Sequence, residues 1–232
     1  MKYIIDSVPK LYDMTSEEVE KVKLSKELSE DNEEFILRYY ITKARKLIGK
    51  LLQVDVTTDP LINKCDLAQR ITGSVLSNNG ITVKPVTSGE LLGNNVPGHS
   101  FLIATINGHD YIIDIDYRQF FTEEGCDIDN VMFYNDVIVK TPDLGFYVKH
   151  ISSIDESTAK KIIEDGFVKL TDHTAKDYMD GFYFCQPGNV RFADIGGNVY
   201  INALRKSNED YSTNYDYIEE IYGIKCDEGS VR

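Results

Sequence analysis

A chain of 232 residues, 42% hydrophobic and 27% charged, is long enough to bury a full core without metal or disulfide staples. Its formal net charge is −13, its pI is near 4.7, and no dense basic run occurs. That balance argues against nucleic acid and against anionic membrane surfaces as partners, since both need clustered Lys and Arg.

No apolar run approaches the roughly 20 residues of a membrane span, so none is expected. The start of the chain, Met1 to Asp6, meets an acid too early for a secretory signal peptide. A cytoplasmic location is therefore expected, or delivery by a secretion machine that reads no such peptide. Thr15-x-x-Glu18 is a capping-box signature and predicts a charged helix from Ser16 to Leu28. A second helix is expected from Asp31 to Leu52, where Phe35, Ile36, Tyr39, Tyr40, Ala44, Ile48 and Leu51 recur at helical spacing. Val54 to Asp59 breaks the pattern and Pro60 suits a new turn, so an N-terminal helical part is expected over residues 1–58. A catalytic domain is then expected over residues 59–232.

A third helix is expected to start around Cys65, with Leu67, Ala68, Ile71, Val75 and Leu76 on one face. Asn78-Asn79-Gly80 would end it, since Gly and Asn tolerate a left-handed cap. Ile81 to Val86 alternates like a short strand, and a turn-rich loop follows from Ser88 to Gly98. Ser100–Ile106 and His109–Ile113, joined by Asn107-Gly108, carry the strongest hairpin signal, because both turn residues need positive φ. Further on, Val131–Val139 reads as a strand, Asp155–Asp165 as a helix closed by Gly166, and Asp172–Met179 as a helix closed by Gly181. A second hairpin is expected across Val190–Leu204 with Gly196-Gly197 at its turn, and a last helix near Thr213–Tyr222. The fold class is thus α+β, a thiol-bearing helix packed on an antiparallel sheet.

The four cysteines, Cys65, Cys126, Cys185 and Cys226, lie far apart with no C-x-x-C pairing. That argues against a zinc ribbon or a disulfide scaffold and leaves reduced thiols. Cys65 stands out because a helix start favours a thiolate. A lone helix-borne Cys is more often a small buried hydrophobe, so the case rests on its company. His99 precedes the first hairpin strand and Asp114 follows the second, on arms of similar length, so the hairpin itself should bring them together. An imidazole oriented by a carboxylate beside a thiol is the arrangement of a nucleophilic enzyme. Asp116 is a rival for the acid role. Asp66, directly after Cys65, opposes thiolate formation unless its carboxylate points away. His109 beside the turn is expected at the surface. His150 and His173 lack metal-ligand spacing and no phosphate-binding loop occurs, so neither metal nor cofactor is expected.

The order Cys65, His99, Asp114, with the last two fifteen positions apart, resembles the papain-like and transglutaminase-like superfamily of cysteine enzymes. Gly98-His99-Ser100-Phe101-Leu102 and Tyr111 to Phe120 look like that group's His and Asp motifs, and the similarity spans residues 60 to 121. The chain resembles in particular the bacterial toxin and effector members, among them glutamine deamidases and related cysteine proteases. The resemblance implies a papain-like core with Cys65 as nucleophile, His99 as general base and acid, and Asp114 as the orienting acid. A thiol hydrolase acting on amides of a protein or peptide substrate is the expectation, by glutamine deamidation or peptide hydrolysis. The alternatives are transfer of the acyl group to an amine, as in a transglutaminase or N-acyltransferase, or a non-catalytic protein-binding module on the same fold.

Overall fold

A computed structural model describes residues 6–25, 28–87, 100–121, 130–132, 138–140, 156–171 and 174. The first helix, α1 (Ser16–Lys23), opens on the expected capping box: the Glu18 N–H donates to Thr15 Oγ1, and the Thr15 N–H donates to the Glu18 carboxylate. It ends at Lys23 rather than Leu28. Val19 is its single buried residue and Leu24, at the cap, is 80% exposed, so burial at that cap does not support a longer helix. Helix α2 (Glu30–Leu52) is capped by Ser29 and closed by Gln53 at a left-handed φ of 56°. Its buried stripe of Ile36, Leu37, Tyr40, Ile41, Ala44 and Ile48 joins the central core.

Helix α3 (Cys65–Asn78) begins at the expected residue and packs on α2 and on two strands. The strands are β1 (Thr82–Thr87), β2 (Ser100–Ile106) and β3 (His109–Ile113), followed by a 3-10 turn, Tyr117–Phe121. β1 and β2 are antiparallel with Val86 opposite Phe101, and β2 and β3 are antiparallel with Leu102 opposite Ile113. Asn107 and Gly108 turn the hairpin at φ 48° and 82°, as their sequence demands. Leu102, Ala104, Tyr111 and Ile113 join the core that α2 and α3 cover, so the N-terminal helices and the sheet share one apolar interior. The expected α+β class is what the chain adopts.

The run Val131–Val139 is not one strand. Two three-residue strands, β4 (Asn130–Met132) and β5 (Ile138–Lys140), pair antiparallel with each other. Helix α4 (Glu156–Asp165) stops at Gly166, whose φ is +82°. A Cβ there would meet Ile41 Cγ2 at 2.8 Å, so glycine serves both the turn and the close packing. The strand that follows, β6 (Phe167–Lys169), pairs antiparallel with β3 and completes the sheet order β1-β2-β3-β6. Sequence reading gave no sign of it, because three residues are too few to show a period. The expected helices at Asp172–Met179 and Thr213–Tyr222 and the hairpin over Val190–Leu204 lie outside the described residues. Among the described residues, no helix is long and apolar enough to cross a membrane.

Two polar clusters tie α2 to remote parts of the chain. Glu33 is fully buried, accepts from the Tyr111 hydroxyl at 2.7 Å and lies 2.9 Å from His109 Nδ1. Burial, then the bond to Glu33, pushes the Tyr111 hydroxyl far above its usual range. Asp165, at the end of α4, accepts from the Tyr12 hydroxyl, and from Arg38 and Lys161 at 3.0 Å each. Burial raises the Asp165 carboxyl, but the bonds from Tyr12, Arg38 and Lys161 outweigh it and hold it below the ordinary value. A carboxyl lowered on folding stabilises the protein above its unfolded pKa of about 3.9, and that stability is lost as pH falls through the lowered folded value. Thermal melts between neutral pH and pH values below about 4 should therefore show a shallower acid loss for Asp165→Asn than for the natural chain. Parallel acid limbs in the two proteins would refute this role.

Candidate active site

Cys65 is the first residue of α3, half-buried and not in a disulfide. Lys64, at the N-cap, makes no side-chain hydrogen bond to the helix start. The approach to Cys65 is conformationally costly. Leu61 (φ 55°) and Asn63 (φ 58°) both sit in the left-handed region, at about 1–2 kcal/mol for Leu61 and less for Asn63, whose side chain tolerates it. Thr57 N–H donates to Asp55 Oδ1 at 2.9 Å and Leu61 N–H to Asp59 Oδ1 at 2.7 Å, which shapes the loop locally. Remote groups hold it as well. Buried Arg118 donates from Nη1 to Thr57 O at 2.9 Å and Thr58 O at 3.3 Å, and the Asn63 N–H donates to Gln119 Oε1 at 3.1 Å.

The awkward neighbour Asp66 is accounted for. Its side chain is 65% exposed and accepts from Arg70 Nε at 3.0 Å, one turn along the solvent face of α3. There the carboxylate is screened by water and shared with a guanidinium, and its place in the first turn suits the helix dipole.

Asp114 directly follows β3 and is buried, and its N–H donates to Gly166 O at 2.9 Å, carrying the β3–β6 ladder one residue further. Asp116 is equally buried, and its Oδ2 accepts from Gln119 Nε2 at 2.7 Å. Between α3 and these strand ends lies a small cavity with room for about one water molecule. Ala68 and Gln69 of α3, Ser100 and Phe101 of β2, and Asp114 and Asp116 line it. Cys65 is not in the lining, but Ala68 and Gln69 stand three and four residues beyond it, on its own helix face.

His99 lies outside the described residues. Its sequence neighbour Ser100 begins β2 and lines the cavity that Asp114 also lines. Gln69 binds the same region to α3: its Nε2 donates to Phe101 O at 2.7 Å and to Val86 O at 3.3 Å. Those carbonyls belong to paired residues at the end of β1 and the beginning of β2.

No family model matches the chain, and neither a curated protein nor a solved structure does. The case for this site therefore rests on its residues and geometry. Sequence reading missed Gln69, Arg118 and Gln119. The one usable signal was that Gln69 is an amide on the Cys65 face of an otherwise apolar helix stripe. His109, expected at the surface beside the turn, is exposed there, yet it leans on buried Glu33. Cys126, Cys185, Cys226, His150 and His173 lie outside the described residues.

Proposed function

We propose that the chain is a thiol hydrolase of amide bonds, built on a papain-like or transglutaminase-like core, with Cys65 as nucleophile, His99 as general base and acid, and Asp114 as the orienting acid. The observation that carries this reading is the cavity between the Cys65 face of α3 and the buried Asp114, at the mouth of the hairpin whose first strand His99 precedes. Asp114 is named as the acid because it directly follows β3 and lines the cavity together with Ser100, the neighbour of His99.

His99 takes the Cys65 proton, and Sγ attacks the carbonyl carbon of a glutamine side chain or a peptide bond. The C–N bond then breaks, with His99 returning the proton to the departing ammonia or amine. A water, deprotonated by His99, attacks the thioester, and the C–S bond breaks to give the acid and the thiol. Backbone N–H groups at the start of α3 are suited to the negative oxygen formed in each step. Asp114 keeps His99 in the tautomer that can accept the proton.

Limited iodoacetamide near pH 6, read by mass spectrometry, tests the reading. Cys65 should label ahead of the other three cysteines, and His99→Ala should remove that preference. Slow and equal labelling of all four would sink it. Ammonia release from a glutamine-containing protein, set beside peptide cleavage, then separates deamidation from proteolysis.

A further inference from the structure

We infer that Asp116, Arg118 and Gln119 form a brace that sets the reactivity of Cys65, with Gln119 as its positioning residue; this rests on the reading of Cys65 as the nucleophile. The brace begins from backbone strain. Two residues with side chains, Leu61 and Asn63, hold left-handed φ within the four positions before Cys65. Such conformations persist only where surrounding structure over-determines them. Leu61 is held locally, by its N–H to Asp59 Oδ1 and by the Lys64 N–H to its carbonyl. The rest of the approach is held by one short segment 56 to 61 residues further along the chain. Arg118, buried at 4% exposure, donates to the carbonyls of Thr57 and Thr58, and Gln119 accepts the Asn63 N–H.

The Gln119 amide has one workable orientation. Its Oε1 must accept from Asn63 and its Nε2 must donate to Asp116, because a carboxylate at 116 offers only acceptors. The buried carboxylate of Asp116 therefore fixes the amide, the amide fixes the Asn63 backbone, and Cys65 follows two residues on. The same segment carries Asp114 two residues before Asp116, so the proposed acid and the support of the proposed nucleophile move as one unit. A thiol whose approach is loosened sits further from the groups that activate it, and misplacement by about 1 Å costs up to about a hundredfold in comparable sites.

The test uses the full chain and iodoacetamide as the probe, with the Cys65 alkylation rate measured across pH and a thermal melt of each variant. In Gln119→Leu the rate at neutral pH should fall about tenfold or more, and its pH profile should move toward that of an ordinary thiol, near 8.5. Gln119→Glu should be as poor, because two carboxylates would then face each other. The exchange Gln119→Glu with Asp116→Asn should restore the rate, since the carboxylate at 119 accepts from Asn63 and from the new amide. This rescue is the readout that a merely structural role would not give, and it stands even where Gln119→Leu fails to fold. Selective labelling of Cys65 with unchanged rate and profile in the Gln119 variants overturns the brace and leaves the nucleophile in place. Faster labelling in those variants also overturns it, since the segment would then be only a cover. Unselective labelling in the natural chain overturns the nucleophile and the brace together.

Discussion

Replacing Cys65 with alanine is expected to lower amide hydrolysis by roughly 10⁴-fold or more while leaving the fold intact. The large factor follows from the proposed mechanism, in which no thioester forms without Sγ and only backbone donors remain to help direct attack by water. Stability should hardly change, because Cys65 is only half-buried at the first position of α3 and alanine is the better helix former. His99→Ala should cost a similar factor, and the double variant should be little worse than either single one, since the residues act as a unit. The measurements are ammonia release and peptide cleavage under matched conditions, with melts to show that each variant folds. Hydrolysis that survives in Cys65→Ala would remove the thiol from the mechanism.

The second large effect is on stability. Arg45→Ala should destabilise the protein by about 4 kcal/mol, which for a chain of this size lowers the melting temperature by about 10 °C. Arg45 on α2 is 1% exposed, and its guanidinium donates to Ile163 O at 2.9 Å, Glu164 O at 2.7 Å and Lys10 O at 2.9 Å. The first two are carbonyls of the last turn of α4, which no further helical turn can satisfy and where a positive charge is favoured. The third belongs to the N-terminal segment, which Lys10 N–H also ties to Glu164 O. Burial pushes the guanidinium down to about 10, so it keeps its charge at neutral pH. Alanine would take the guanidinium from the Ile163 and Lys10 carbonyls, remove one of two donors from Glu164 O, and leave a large void. Arg45→Met refills the volume but not the hydrogen bonds and should recover only part of the loss. A melting temperature within a degree or two of the natural chain would show that α4 closes without it.

The sequence by itself determined what is local. The capping box at Thr15, the Asn107-Gly108 hairpin and the halt of α4 at Gly166 follow from φ preferences and from donors and acceptors a few residues apart, and the span of α3 from its apolar spacing. The reach of α1 was overestimated because helix length depends on what the helix packs against, and β6 was too short to announce itself. The proposed site was legible only as a pattern, a thiol at a helix start with His99 and Asp114 on either side of a hairpin. Tertiary structure decided the rest: Gln69 on the Phe101 carbonyl, Glu33 under Tyr111, Arg45 on the end of α4, and Gln119 between Asp116 and Asn63. Each of these buried polar groups has at least one partner far along the chain, Glu33 and Tyr111 being 78 residues apart. Periodicity and local preference describe only neighbours within a turn or two, so nothing in the sequence marks such a pair until the core forms around it.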